Sequence, residues 1–488
     1  MARLYESAGK DTDAEAVFRE LISIGAANET ALQARARLAQ LLAKQQKYDE
    51  ARAQLEAVLA EKADHSDALV LRGNVHLVRQ DYAKAIEDYR TVLRDKPNSV
   101  KALRFLAKAQ ALSGDAASAK RNYQLVIENE PTLKEAYVEL AQLLVRLKDL
   151  QGATKVLEQA LRIDPKQLPV LDLVSKLYLQ LKHVEGVKNS SQRLMAAFQS
   201  SPLGYYYHGM ALLLEKDFAN SEVYFKKALE IVPNSVEPLN GLVRSYLYRN
   251  TPDAAIAWLG RTIEKYPDHV AAYNLQGEVL VSMNKFEQAR RSFLKAIELK
   301  PGWWVPRRGV ATTWRLSGKE KAAEKVLVET LEKVPGAVAV RNDLALLYEK
   351  NGKTDEAIAQ FEKIAQAQPN ASSINNLAMM LATYRSDKDS LDRAWELAQK
   401  LAKSTLPQHM DTIGWVLYKR QEVKKAVELL ELAVDKAPEL PAIRYHLGMA
   451  YLADGQKEKA KLNLSKSVKM NQRFVGIEEA KSTLKSLK

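Results

Sequence analysis

The chain has 488 residues, a formal charge of +13, 47% hydrophobic and 27% charged residues, and no cysteine. That balance excludes a disordered chain, and the missing cysteine excludes disulfides, thiolate nucleophiles, iron–sulfur clusters and Cys-ligated zinc. The longest apolar runs, such as 140–145, fall far short of the ~20 residues a spanning helix needs, and the opening MARLYESAGK holds no apolar segment of a secretory signal.

Taken in chain order, the elements recur with a period of 34 residues. Pro97, Pro131, Pro165, Pro233, Pro267, Pro301, Pro335 and Pro369 lie whole multiples of 34 apart, and Pro438 returns shifted by one. Ala85, Ala119, Ala153, Ala255, Ala289, Ala323 and Ala357 each precede a ladder proline by twelve residues. Twelve residues earlier still runs a ladder of small marks: Ala39, Gly73, Ala107, Ala141, Ser175, Gly209, Val243, Gly277, Ala311 and Ala345, then Ala378, Gly414 and Gly448. Small residues at fixed places on two helices allow close helix–helix approach. Between the marks the apolar spacing is helical: Leu275, Val279 and Leu280 make one stripe, and Phe286, Ala289, Phe293 and Ile297 the next. Each repeat is therefore read as an antiparallel helix pair with a short turn. Gly9, Gly114, Gly318, Gly352 and Gly455 fall in that turn, where a left-handed residue is favoured. All 16 prolines fall at helix boundaries.

The unit AYNLQGEVLVSMNKFEQARRSFLKAIELKP, 272–301, shows the pattern small-x₁₁-Ala-x₃-aromatic/Leu-x₇-Pro, which resembles the tetratricopeptide repeat. The resemblance implies an all-α fold, a right-handed α-solenoid superhelix of about fourteen helix-turn-helix repeats. An incomplete first repeat (1–27, carrying Tyr5, Ala14 and Phe18) would precede N-terminal (28–200), central (201–369) and C-terminal (370–470) repeats, in one continuous solenoid. A polar helix at 473–488, within a last segment 471–488, would cap it. Met1 falls at the seventh position of its repeat, so a truncated first helix is expected, with repeats or a signal upstream in the parent protein. Val187 and Ser221 stand where alanine is usual, so less regular packing is expected in the sixth and seventh repeats; the loop 383–390 adds about four residues to the twelfth.

No catalytic constellation, metal site or cofactor site is found. The seven histidines are scattered and none shows metal-binding spacing. Gly352-Lys353-Thr354 resembles the end of a phosphate-binding loop, but Leu347 stands where its first glycine belongs. Nucleic acid is disfavoured as a partner, because basic residues are mixed with 60 acidic ones and aromatic platforms are few. Arg307-Arg308 beside Trp303-Trp304 is the best local candidate. The last 34 residues carry nine Lys/Arg against three Asp/Glu, read mainly as a soluble cap.

In the superhelix that the resemblance implies, first helices line a concave groove. Positions three before and one, four and five after each small mark project into it. The three-before row gives Asn240, Asn274, Asn342 and Asn375 with Arg308 among them; the others add Arg244, Glu278, Arg315, Met379, Trp415 and Tyr418. Asparagine donates to and accepts from a peptide backbone at once, so the row suits an extended segment of a partner protein. Lys101, Arg104 and Lys108 form a second, basic patch. The two-carboxylate clamp of the chaperone-binding branch of the family is not assembled here, since Lys101 and Lys108 lack matching asparagines in neighbouring repeats.

The function expected from the resemblance is a non-enzymatic protein–protein interaction scaffold, with partner segments in the groove and no small-molecule substrate. The C-terminal repeats, from NNLAMMLATYRSDKDSLDRAWELAQKLA to RYHLGMAYLADGQKEKAKLNL, resemble bacterial cell-envelope repeat lipoproteins of exopolysaccharide production and the PEP-CTERM/exosortase sorting system. This implies a periplasmic or outer-membrane-associated protein if the parent carries a signal, held at the membrane only by a lipid anchor outside this chain, and a cytoplasmic one otherwise. Two other readings stand beside it: the repeat arm of a larger glycosyltransferase-type enzyme, and a cytoplasmic chaperone adaptor binding peptide tails.

Overall fold

A computed structural model describes residues 5, 9–25 and 29–487. Among these residues there are 28 α-helices and no strand, which makes the fold all-α. The opening helix of the first repeat lies outside the described residues apart from Tyr5. Its second helix is α1 (Asp11–Ile24). Thirteen helix pairs follow, from α2 (Glu29–Lys44) with α3 (Tyr48–Glu61) to α26 (Pro441–Ala453) with α27 (Lys457–Lys469). The closing helix α28 spans Ile477–Ser486, shorter than the sequence suggested, because Gly476 takes a left-handed turn at its N-cap.

The chain divides into two compact halves, Met1–Asn250 and Thr251–Lys488. Within each half the logic is the same. First helices pack on the second helix of their own repeat where both lie in the same half, each second helix packs on the next first helix, and several successive first helices also touch. First helices therefore line the inner wall of each stack.

Size matching along the repeat explains the packing. Sixteen residues after each small mark stands a buried rung: Leu55, Tyr89, Tyr123, Leu157, Phe225, Leu259, Phe293, Leu327 and Phe361, none more than 3% exposed. Where the rung is aromatic, glycine usually faces it. In the second half, a Cβ on Gly277 would stand 2.5 Å from the Phe293 ring and one on Gly309 of the next repeat 2.6 Å. In the first half Gly209 and Gly241 grip Phe225 in the same way, at 2.7 and 2.5 Å. Burying each such ring contributes about 2–3 kcal/mol.

The expected irregularity around Val187 and Ser221 is resolved by hydroxyl pairs inside regular helices. Ser175 Oγ donates to Ser190 Oγ at 2.8 Å, and Ser221 and Ser245 hydroxyls meet at 2.7 Å, all four fully buried. Ser191 takes the rung position between Leu157 and Phe225 and meets His208 Nδ1 at 3.0 Å.

The intra-repeat turn places one left-handed residue every 34 positions, at Gln46, Gln80, Gly114, Lys148, Lys182, Lys216, Asn250, Asn284, Gly318 and Gly352. Most are not glycine, which is why the sequence revealed only part of the ladder. Helix starts are capped by Asp115, Asp149, Asp217 and Asp387, whose carboxylates accept backbone N–H groups at 2.8–3.2 Å, and by a reciprocal Asn370–Ser373 capping box.

Histidines do structural work of the same kind. Nδ1 of His65, His183 and His269 accepts the N–H of Ala68, Gly186 and Ala272 respectively. Burial holds His76, His208 and His269 below the usual imidazole range. An unfolded histidine protonates near 6.5 while these three do not, so stability is unaffected above that value and falls as pH drops below it. The melting temperature should therefore decline from pH 7.5 to 5.5, and His269→Asn, which keeps a cap acceptor but cannot protonate, should decline less. Parallel melting curves for the two proteins with equal slopes against pH would refute this.

Candidate partner-binding surface

In the first half, Asn240 and Arg244 stand exposed on the helix Val236–Tyr248. The Arg244 guanidinium lies 5.8 Å from the centre of the Tyr248 ring, one turn on, and Tyr248 is 55% exposed. Asn240 is left open to solvent.

The basic patch is reshaped by a neighbour the sequence reading overlooked. Arg104 donates through Nε and Nη2 to both oxygens of Glu139, at 2.9 and 2.8 Å, so its charge is spent inside the stack. That bond also raises the Arg104 pKa above its ordinary value. Lys101 and Lys108 remain exposed but open onto different cavities, Lys101 beside Leu71 and Lys108 beside Glu139. The expected three-residue patch is thus two separate cations.

In the second half the predicted residues fall into separate groups. Asn274 is buried and donates Nδ2–H to Glu278 one turn on, at 2.7 Å. It faces its own helix and not a free groove, a correction to the sequence reading, because an exposed position in a straight helix becomes covered once neighbouring repeats close over it. Glu278 still meets water but is ringed by protein, and burial pushes its carboxyl above the usual carboxylate range, with the Asn274 amide opposing.

Arg308 and Arg315 share one cavity. Arg308 donates through Nε and Nη2 to Asp343 at 2.5 and 3.1 Å, so it, too, is an internal staple; that bond lifts its pKa. This also removes it as half of a nucleic-acid platform with Arg307. Asn342 and Asn375 are half-buried, and nothing in the structure joins them to each other.

Met379, Trp415 and Tyr418 form a third group. Trp415 Nε1 donates to Thr383 Oγ1 at 3.2 Å, and Thr383 Oγ1 lies 3.5 Å from Met379 Sδ. The Trp415 ring stacks on Tyr418 at 4.8 Å and on His446 at 4.1 Å. Trp415 is only 3% exposed. It is part of the core, a second correction, since aromatic stacking on both sides buries a ring that a single-helix reading leaves outside.

Several of the side-chain bonds between repeats share one offset that sequence reasoning missed. Arg104–Glu139, Tyr207–Asp172, Arg308–Asp343, Tyr384–Glu349 and His446–Asp411 are each separated by 35 residues, one repeat plus one position. Aligning the repeats and looking for opposite polarity at that offset would have found them.

Among the described residues no group of three His, Asp or Glu could hold a metal ion, and no helix is long and apolar enough to cross a membrane. What this surface offers is shape, hydrogen bonding and charge.

Comparison with known proteins gives the following. Sequence models of the tetratricopeptide repeat match residues 36–100 and 74–132, 110–177, 212–279 and 315–381, and 270–302 and 441–474. A human protein O-mannosyl-transferase, TMTC3, is 24% identical over 163 residues, 33% of this chain. The match spans 18% of that protein's length. Among solved structures, the chain is similar to yeast Tom70 (18% identity, TM-score 0.45, covering 88% of this chain and 96% of that one). It is also similar to the APC/C hetero-tetramer Cut9-Hcn1 (16%, 0.40, 96% and 98%) and to a tetratricopeptide repeat protein from Parabacteroides merdae (18%, 0.36, 51% and 98%).

Proposed function

The chain belongs to the tetratricopeptide repeat family, and from that premise we propose that it is a scaffold without chemistry of its own, holding segments of partner proteins against its first-helix face. Proteins built of this repeat are generally protein-interaction scaffolds. The observation that carries the reading is that in each half the first helices open a lined cavity, about 440 Å³ beside Gln142 and about 340 Å³ beside Leu346. Asn240, Arg244, Glu278, Arg315, Asn342 and Asn375 are the further groups on that face offered to a partner backbone.

A photo-activatable amino acid at Gln142 or Leu346 should cross-link partner proteins in cells, whereas one at Lys325, on an outer helix and 78% exposed, should not. Equal cross-linking from all three positions would overturn the assignment of the face.

The resemblance of the C-terminal repeats to envelope lipoproteins supports placing this scaffold in a bacterial cell-envelope assembly, for exopolysaccharide export or surface-protein sorting, on the periplasmic side or at the outer membrane. Recovery of the cross-linked complexes in the cytosolic fraction alone would refute that placement. A second reading, the repeat arm of a glycosyltransferase-type enzyme, is favoured by one observation, the partial match to an O-mannosyl-transferase; glycosyl transfer by the full reading frame would select it.

A further inference from the structure

Two cavities on the first-helix face, one in each half, open at corresponding places of the repeat. Adding 204 residues, which is six periods of 34, carries Arg104 to Arg308, Lys108 to Thr312, Glu139 to Asp343, Gln142 to Leu346 and Arg146 to Lys350. Each is lined by a carboxylate, Glu139 or Asp343, that an arginine holds in a bidentate staple; Arg308 lines its cavity as well, whereas Arg104 does not. From Ala39 onward, arginine stands three before the small mark only at Arg104 and Arg308, and an acid stands two before it only at Glu139 and Asp343. The combination therefore occurs twice in thirteen repeats, and a cavity opens at both places.

Each cavity couples accessible apolar surface to an exposed cation that no hydrogen bond holds. In the first, Leu112 is 42% exposed, and Lys108 and Arg146 are exposed. In the second, Leu346 is 49% exposed and Arg315 is exposed. Among the described residues Lys108, Arg146 and Arg315 have no hydrogen-bonded or ion-paired side-chain partner. The acids lining the cavities are already held by their arginines, and Lys350 is held by Glu320. Arg315 also departs from the repeat. Four after the mark the chain otherwise places Ala43, Leu77, Ala111, Val145, Leu179, Leu213, Leu247, Val281, Ala382, Tyr418 and Leu452, with one acid, Glu349, that accepts the Tyr384 hydroxyl proton at 3.1 Å.

We propose that the chain is bivalent, each cavity receiving an acidic-apolar segment: a Leu-type side chain against the exposed leucine, and a neighbouring carboxylate on Lys108 and Arg146 in the first half or Arg315 in the second. The proposal rests on the scaffold reading and adds the chemistry and number of the occupants. Charge complementarity selects the occupant, because the staples neutralise the cavity acids and leave a net positive rim over an apolar floor. Two modest sites on one chain raise avidity for a partner carrying the motif twice.

The probe is a fluorescein-labelled peptide of alternating leucine and aspartate, eight residues long, with a control in which asparagine replaces aspartate. Titration should give two peptides per chain, and the asparagine control should bind about tenfold more weakly. Lys108→Glu with Arg146→Glu should leave one site, Arg315→Glu should leave the other, and all three together should leave none. Gln variants at the same positions, which avoid a new charge, should weaken binding in the same pattern. One peptide per chain, no binding, or binding indifferent to these variants would overturn the proposal. If partners still cross-link at Gln142 and Leu346 in the triple variant, the scaffold reading stands and only the acidic-apolar assignment falls; if the unaltered chain cross-links nothing there, the scaffold reading itself falls.

Discussion

Replacing Phe293 with alanine should destabilise the second half by about 3–5 kcal/mol, the range for emptying a fully buried aromatic site. Phe293 is 1% exposed. Its ring occupies the space left by Gly277 in its own repeat and Gly309 in the next, where any Cβ would fall within 2.6 Å of it. Neither backbone can close over the void, since each helix is held by its own partners, so the lost transfer energy and the cavity term add. The converse change is as informative. Gly277→Val pushes two methyl groups into the ring and should cost about 1–3 kcal/mol or more by overpacking. Phe293→Leu combined with Gly277→Ala, which recreates the Ala–Leu pairing seen at Ala311 and Leu327, should recover most of that loss. Urea unfolding followed by hydrogen exchange in the helices 270–282 and 304–316 gives the comparison. A Phe293→Ala cost under about 1 kcal/mol would show that the rung is not what joins the two repeats.

Asp411→Ala should cost about 2–3 kcal/mol through a different mechanism. Asp411 and His446 are 5% and 6% exposed and meet at 2.7 Å between Oδ1 and Nδ1. Removing the carboxylate strands a buried ring nitrogen without its partner, so a desolvation penalty appears. His446 also stacks on Trp415, and a loosened imidazole should expose the indole and shift its fluorescence to the red. Asp411→Asn keeps an acceptor and should cost less. Asp411→Ala with His446→Ala should cost less than the sum of the two single changes, because the second removes the stranded group. Strict additivity would mean the pair is not coupled.

The two predictions rest on features of unequal visibility. The Phe293 rung was legible in the sequence, because a small mark, an alanine twelve residues on and an aromatic or leucine four beyond that recur at one fixed period. Periodicity of that kind encodes helices, turns and core together, and it correctly gave an all-α repeat fold from the residues alone. The Asp411–His446 pair was not legible. Its members lie 35 residues apart in different repeats, and each looks, on its own helix, like a polar surface residue. The same blindness affected the candidate surface. Trp415 and Asn274 were placed on an open face by helix phase, yet neighbouring repeats bury both. Arg104 in the basic patch and Arg308 in the asparagine row carry no sign, on their own helices, that Glu139 and Asp343 hold them. Burial and pairing between repeats depend on the residue one period away, information that a single-helix reading does not contain.

Each rung that lies between the small residue of its own repeat and one of the next has a consequence for how such a chain changes length. The cut between two neighbours is never unique, since the interface that Phe293 makes toward 309 repeats the one that Phe225 makes toward Gly241. Recombination that removes or inserts 68 residues, two periods, from one glycine-flanked phenylalanine to the next would join surfaces that already fit, and no new interface would have to arise. The loop 383–390 leaves that logic intact, since beyond it Leu430 still meets Gly414 and Leu464 still meets Gly448. Length drift in this protein should therefore be quantised, arriving in whole periods.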